Sequence, residues 1–230
     1  MKRYSIGYKI LYLQITKIII GLIVIGGLVS IVQILAGKFL ILSSLDKDSK
    51  NLILGTIISI LSIASYTFLY KVYEKRIITE FSRYSMLKYL VYGSLLGALL
   101  QSLTILVIYL KGGYTLVSVN PIAFIIPPLT MAFTSAIFEE IIMRGIIYRI
   151  TEEKLGSYFA LIISALIFGA MHLANPNSSL IAAAGLAIQA GLLLGSAYIY
   201  SRNLWFPIAI HFAWNFTQSA IFGANVSGNT

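Results

Sequence analysis

The chain has 230 residues, of which 58% are hydrophobic and only 11% are charged, and its formal net charge is +9. A soluble domain is usually about 25% charged, so this composition excludes a water-soluble fold. The basic residues cluster at the ends of apolar stretches, where they set the orientation of membrane spans, and they do not indicate nucleic-acid binding. The absence of cysteine excludes disulfides, thiolate metal ligands and a cysteine nucleophile.

Uncharged stretches long enough to cross a bilayer follow one another along the chain. One helical pass needs about 20 apolar residues. Helices satisfy their own backbone groups in lipid, and the short alternating segments of a membrane barrel are absent. We predict an all-α, polytopic transmembrane helix bundle of about seven spans, forming a single integral membrane domain over residues 1–230. The spans cover about 15–37, 51–70, 89–110, 121–150, 156–173, 180–200 and 204–222.

The distribution of basic residues predicts the orientation of the spans. The apolar run that follows the N-terminus is too long for a signal-peptide core and lacks a small-residue cleavage site, which indicates a retained signal anchor. The loop 71–88 is the most basic and is predicted to be cytoplasmic. An alternating topology then places the N-terminus and the other short basic segments on the same side, and 175–179 outside. These basic residues are Lys2, Arg3, Lys9, Arg149, Lys154 and Arg202.

Two segments predict local irregularity. Pro127-Pro128 falls inside the fourth span and would break or kink it, because proline lacks the backbone N–H of a helix interior. Residues 112–126 before it would then be partly re-entrant or lie at the membrane interface. The sequence from Asn175 to Ser179, Asn-Pro-Asn-Ser-Ser, predicts a turn.

Six polar residues lie within the apolar spans of the second half of the chain. An ionisable group at bilayer depth costs at least about 2.5–3.5 kcal/mol, so these side chains are expected to meet in one buried site. Residues four apart share a helix face, which allows Glu140 to pair with Arg144. The adjacent Glu139 projects about 100° away from Glu140. The six residues are Glu139, Glu140, Arg144, His172, His211 and Asn215.

A structural interpretation exists for each of these residues. Glu140 and Arg144 could form an ion pair alone, but that leaves Glu139 unmatched. Either histidine or Asn215 could simply bond two helices together. Other polar or aromatic side chains in the spans are assigned to packing or helix ends, namely Phe168, Gln101, Gln189 and Asn203.

The predicted site suits the activation of water. A carboxylate beside a histidine in a low dielectric can act as a general base, and a histidine with an asparagine can donate hydrogen bonds to a developing oxyanion. Alternatively, Glu139, His172 and His211 could hold a divalent metal such as zinc, with one position left for water. Both schemes describe hydrolysis of an amide inside the membrane.

Three motifs lie in order on successive predicted helices. Glu139-Glu140-Ile-Ile-Met-Arg144 matches EExxxR, Phe168-Gly-Ala-Met-His172 matches FxxxH, and His211-Phe-Ala-Trp-Asn215 matches HxxxN. Over about residues 120–220 the chain therefore resembles the CPBP intramembrane proteases, which include the type II CAAX prenyl endopeptidases and bacteriocin-processing or self-immunity proteins.

The resemblance implies a role for each motif residue. Glu139 and His172 would activate the water, and Glu140 would support them with Arg144. His211 and Asn215 would stabilise the oxyanion or assist metal ligation. We expect an integral protein of a bacterial plasma membrane with a cytoplasmic N-terminus.

The leading hypothesis is an intramembrane endopeptidase, glutamate- or metal-dependent, that cleaves a membrane-associated peptide or protein within the lipid bilayer. One alternative is a bacteriocin self-immunity or binding protein without catalysis. The other is a proton-coupled transporter, but transporters usually carry paired repeats, whereas here the charge at membrane depth is confined to the second half of the chain.

Overall fold

The computed structural model describes residues 13–41 and 43–226, which contain helices and no strand. Short 3-10 turns cover Ile122–Ile125 and His172–Ala174. Three π-helical segments interrupt or extend the α-helices in the described part of the chain: π1 (Ile141–Tyr148), π2 (Ala187–Leu192) and π3 (Thr217–Ile221). The α-helices are α1 (Gln14–Ile41), α2 (Lys47–Tyr73), α3 (Met86–Leu110), α4 (Ile126–Glu140), α5 (Arg149–Met171), α6 (Leu180–Leu186), α7 (Leu193–Ser201) and α8 (Trp205–Phe216).

Five helical stretches are long and apolar enough to cross a membrane. One of them runs for 53 residues, from Ile122 to Ala174, which would be roughly 80 Å of straight helix, too long for one pass. Gly156 divides it, since its φ of 77° lies in the left-handed region that glycine adopts without strain. The last helical stretch, α8 with π3, is shorter than each of these five. The predicted all-helical membrane fold is confirmed, and the number of seven spans is approximate.

Large apolar side chains cover the outside of the bundle. Phe39 on α1, Leu110 on α3 and Ile181 on α6 are each more than 70% exposed. Such a surface would be unfavourable in water and is satisfied by lipid. The interior contains a core in which Tyr66 and Tyr70 of α2 pack against Ile146 of π1.

The proline pair does not break a helix. Pro127 and Pro128 occupy the first turn of α4, directly after the 3-10 turn. A missing N–H costs nothing in a first turn, because that donor has no partner inside the helix. The expected kink is therefore replaced by a change from 3-10 to α-helix. The predicted turn at 175–179 is present, and Ser179 ends it by accepting a hydrogen bond from the backbone N–H of Ala182.

One end of the bundle is held together by ion pairs between helix ends. Glu74, after α2, contacts both Lys17 of α1 and Arg149 of α5. Arg202, after α7, pairs with Glu152. The basic segments predicted to share one side of the membrane therefore do lie together. That this side is cytoplasmic stays a prediction, and Lys2, Arg3 and Lys9 lie outside the described residues.

Close contact between α3 and α8 brings the first half of the chain to the second. Gly97 of α3 lies so near the backbone of α8 that a Cβ there would be 2.3 Å from the carbonyl oxygen of Ile210. A small residue at this position lets the two backbones meet. The next residue of α8 is His211, so this contact fixes α3 beside the predicted site.

Candidate active site

The predicted carboxylates lie where α4 changes to π1. Glu140 is the last residue of α4, and Arg144 lies inside π1. Single π-turns within α-helices are rare and frequently occur at functional sites. Roughly 15 Å of helix separate Glu139 from the ion-paired end at Arg149, given a rise of 1.5 Å per residue. This is about half the thickness of the hydrocarbon core.

Glu140 contacts two side chains, Arg144 on its own helical stretch and His211 on α8. Its Oε1 accepts a hydrogen bond from Arg144 Nη1 at 2.8 Å and lies 3.0 Å from His211 Nδ1. Glu140 and Arg144 are fully buried, and His211 is 7% exposed. A carboxylate oxygen can only accept, so the Nδ1 atom of His211 carries the proton in this contact. Glu140 thereby fixes the orientation of the His211 ring, and its negative charge is balanced by Arg144.

Arg144 also reaches backbone carbonyls of π2. Its Nη2 donates to the carbonyl oxygens of Ala190 at 3.2 Å and Gly191 at 2.9 Å. The π2 segment also lies close to α5, since a Cβ on Gly191 would be 2.8 Å from the Cα of Ala165. A planar guanidinium suits such a site because it donates in several fixed directions at once. Arg144 therefore connects three parts of the bundle.

Glu139 lies in a different environment from its neighbour. Its side chain is 25% exposed, and its Oε2 is 3.9 Å from His211 Nε2, beyond hydrogen-bond distance. No hydrogen-bond partner of Oε2 lies within the described residues. Because its side chain is partly exposed and lines a cavity, the Glu139 carboxylate can accept a proton from a water molecule.

His172 is held by its own helix end. Its Nδ1 lies 2.8 Å from the carbonyl oxygen of Phe168. Since a carbonyl only accepts, Nδ1 is the donor, and the neutral ring keeps Nε2 as an acceptor. The Phe168 ring packs against this histidine at 4.7 Å between centroids with the ring planes tilted by 49°, and it lies 6.2 Å from the ring of His211. Arg144 lies over the same phenyl ring at 5.1 Å.

Two cavities meet at Phe168 and Asn215. The first, which we name the glutamate cavity, is lined by Glu139, His172, Ser135, Phe168 and Asn215 and has a volume of about 270 Å³. The second, the glutamine cavity, is lined by Gln101, Gln189, Gln218, His211, Phe168 and Asn215 and has a volume of about 260 Å³. Asn215 Nδ2 is 3.4 Å from Ser135 Oγ, a long hydrogen bond at the boundary between the cavities.

All six predicted site residues therefore converge. Glu140, Arg144 and His211 form one contact network, whereas Glu139, His172 and Asn215 share the glutamate cavity. Their roles stay predictions. For the metal alternative, no group of three His, Asp or Glu side chains within 13–41 and 43–226 is arranged to hold a metal ion.

Sequence reasoning missed three contributors to the site. Phe168, assigned to packing, lines both cavities. The carbonyls of Ala190 and Gly191 carry no side-chain signal, although the small residues around position 191 permit their approach. Asn203, by contrast, has the expected role at a helix end, since its Oδ1 accepts from the backbone N–H of Trp205.

Comparison with known proteins gives one match. Residues 121–217 match the family model described as type II CAAX prenyl endopeptidase Rce1-like. Searches of curated proteins and of solved structures give no match to the chain. The matched segment contains all six predicted site residues and begins just before α4. It confirms the resemblance to the CPBP intramembrane proteases. Residues 121–217 are therefore similar to the type II CAAX prenyl endopeptidases of the Rce1-like family model.

Proposed function

We propose that this protein is an intramembrane endopeptidase that hydrolyses a peptide bond of a membrane-associated peptide or protein. The observation that carries the proposal is the meeting of Glu139, His172 and Asn215 at one cavity, with His211 oriented beside it by Glu140. The family of the matched segment supports the same reaction class. Ionisable groups at membrane depth are functional as a rule, because their burial is costly.

In the proposed reaction, Glu139 and His172 activate the water. The Glu139 carboxylate accepts one proton from water, and the oxygen attacks the carbonyl carbon of the scissile bond. His172, whose Nδ1 is bound to the Phe168 carbonyl, uses Nε2 to orient the same water. The proton held by Glu139 then passes to the leaving nitrogen as the C–N bond breaks, which completes the hydrolysis.

His211 and Asn215 stabilise the oxyanion in this scheme. The Nδ1 of His211 donates to Glu140, and its Nε2, when protonated, donates to the negatively charged oxygen of the tetrahedral intermediate. The amide of Asn215 is a second donor. Glu139, Glu140 and Arg144 sum to one negative charge, so a positive His211 leaves the site neutral. Loss of one oxyanion donor costs about 10²–10³ in kcat in other hydrolases.

The test uses purified protein in proteoliposomes. Two fluorogenic probes, a farnesylated CAAX peptide and an unprenylated apolar transmembrane peptide, are incubated with wild type, and products are identified by mass spectrometry. We expect cleavage of at least one probe, and a loss of at least 10²-fold in Glu139→Gln and His172→Ala. The matched control is Glu153→Gln, which makes the same change at the ion-paired end and keeps activity. Full activity in Glu139→Gln overturns the proposal.

The metal-assisted scheme has its own measurement. Purified protein is analysed for bound zinc and assayed before and after chelation. The glutamate scheme predicts that cleavage persists without metal. Tightly bound zinc that is lost together with activity, and restores it when returned, would instead support the metal scheme with ligands among Glu139, His172 and His211. The alternative of a bacteriocin self-immunity protein without catalysis has a separate test. In a bacteriocin protection assay, protection that is unchanged by Glu139→Gln would favour a binding protein.

A further inference from the structure

A buried glutamine on α3 has no assigned partner. Gln101 is 2% exposed, and its Oε1 has no hydrogen-bond partner within the described part of the chain. A buried amide oxygen without a donor is unfavourable, so most native structures avoid it. Gln101 lies outside the segment matched by the family model, and the proposed hydrolysis does not use it.

This amide faces the predicted oxyanion donors. Gln101 lines the glutamine cavity together with His211 and Asn215. Its position is set by the glycines one and two turns earlier on α3, because a Cβ on Gly97 or Gly93 would collide with α8 at Ile210 or Ala209. The close approach of α3 to α8 therefore places the carboxamide of Gln101 beside the catalytic helix by backbone packing.

The remaining wall of the cavity is mainly apolar and reaches the surface. Ile105, Leu193 and Leu194 contribute aliphatic side chains, and Gln189 is exposed at the wall formed by π2. The residues next to this wall, Leu103 and Ile188, are exposed and apolar, as lipid-facing residues are. A ligand can therefore approach from the bilayer, with apolar groups in contact with aliphatic side chains and polar groups near Gln101.

We propose that the glutamine cavity binds a segment of the substrate peptide, and that the Gln101 carboxamide forms a hydrogen bond with the substrate's backbone amide. A carboxamide has one acceptor group and one donor group, which matches the C=O and N–H of a peptide unit. Apolar substrate side chains pack on the aliphatic wall. The inference rests on the proposed function for the class of ligand, but its test needs no cleavage.

Binding is measured with a tryptophan of the cavity itself. The chain has two tryptophans, and Trp214 lines the glutamine cavity. Trp205→Phe with Glu139→Gln gives a background in which Trp214 fluorescence reports binding without hydrolysis. The probe is a lysine-flanked leucine-alanine peptide in detergent micelles, used unmodified and with a single N-methyl group at successive backbone positions.

We expect Gln101→Leu to lower peptide affinity about tenfold, as the loss of one buried hydrogen bond implies. N-methylation at one position should lower the affinity of the background protein by a similar factor and leave that of Gln101→Leu unchanged. The unfolding temperature of Gln101→Leu should stay equal or rise, because a buried unpaired oxygen has been removed. The matched control, Gln33→Leu on the exposed face of α1, should bind like the background protein.

Three results would overturn this inference: no binding of the unmodified peptide, equal affinity in Gln101→Leu, or equal N-methyl effects in both proteins. A fall in unfolding temperature without loss of affinity would assign Gln101 a structural role. The same experiments distinguish failure of this inference from failure of the proposed function. If wild type cleaves neither fluorogenic probe but Gln101-dependent binding is present, the peptide site stands and the protease proposal falls.

Discussion

Glu139 and Glu140 are adjacent in the chain but differ in exposure and in the residues to which they bond. Glu140 is fully buried and bonded to Arg144 and His211. Glu139 is partly exposed, and its Oε2 lies 3.9 Å from His211 Nε2, beyond hydrogen-bond distance. One carboxylate therefore holds the site together, whereas the other is available to a water molecule.

This difference predicts opposite effects of the same substitution. Glu140→Gln leaves the buried guanidinium of Arg144 without a counter-charge, and we expect it to lower the free energy of unfolding by about 3 kcal/mol. Glu139→Gln removes only the 3.9 Å approach to His211 Nε2 and should change the free energy of unfolding by less than about 1 kcal/mol, although activity is lost. Unfolding in mixed micelles measures both. Equal destabilisation by the two variants would contradict this division of roles.

Arg144 should not tolerate replacement by lysine. Its guanidinium bonds to Glu140 in one direction and to the carbonyls of Ala190 and Gly191 in another. A lysine ammonium is a single point of charge and cannot span both. We expect Arg144→Lys to cost about 1–3 kcal/mol, the penalty for a buried acceptor left unpaired.

The control for this prediction is Arg202→Lys at the exposed pair with Glu152. An exposed ion pair contributes about 0–1 kcal/mol, so the same change there should be nearly silent. If both variants unfold alike, the carbonyl contacts of Arg144 do not contribute to stability.

The membrane fold could be predicted from the sequence because bilayer thickness sets the length of each apolar stretch. The convergence of Glu140, Arg144 and His211 followed from the cost of isolated charge in lipid together with spacing of four residues. The division at Gly156 and the helical first turn at Pro127 were harder to predict from the sequence, since they depend on backbone angles. A glycine or proline allows several conformations, and tertiary packing selects among them.

Contacts made by backbone atoms could not be predicted from motif spacing. The carbonyls of Ala190 and Gly191 are bonded by Arg144 because π2 lies against α5, a packing arrangement that no polar side chain reveals. Gln101 is a related case. Its place beside His211 depends on glycines of α3 whose partner helix lies more than a hundred residues later.

The α3–α8 contact gives a prediction about position 97. In Gly97→Ala, the new Cβ would meet the carbonyl of Ile210 at 2.3 Å, and backbone cannot move aside cheaply. We expect a loss of about 1–3 kcal/mol, typical of overpacking, and reduced cleavage, because the following residue is His211. Thermal unfolding and the fluorogenic assay measure the two effects.

Gly27→Ala is the matched control, since a Cβ there meets nothing within 4 Å on α1. Alanine is the better helix former, so this variant should be as stable as wild type or more stable. A Gly97→Ala protein with unchanged stability and activity would show that the helices tolerate wider separation.

The loop between α2 and α3 gives a prediction about pH. Glu80 is 4% exposed, pairs with Arg76 at 2.8 Å, and its backbone carbonyl accepts from the N–H of Leu204 before α8. Burial raises the pKa of Glu80, but the hydrogen bond and charge of Arg76, with the charge of Arg149, outweigh burial and hold the pKa below its ordinary value of 4.5. The ionised form therefore stabilises the folded protein.

The sign of the pH effect follows from this lowered pKa. The stabilisation by Glu80 is fully present above about pH 4.5, the ordinary value, and is lost as pH falls through the lower folded pKa. Glu80→Gln lacks it at every pH. Wild type should thus unfold at a higher temperature than Glu80→Gln at pH 7, and the difference should shrink steadily below about pH 4. If the difference in unfolding temperature did not depend on pH, the Glu80 side chain would stabilise the loop by packing and not by its charge.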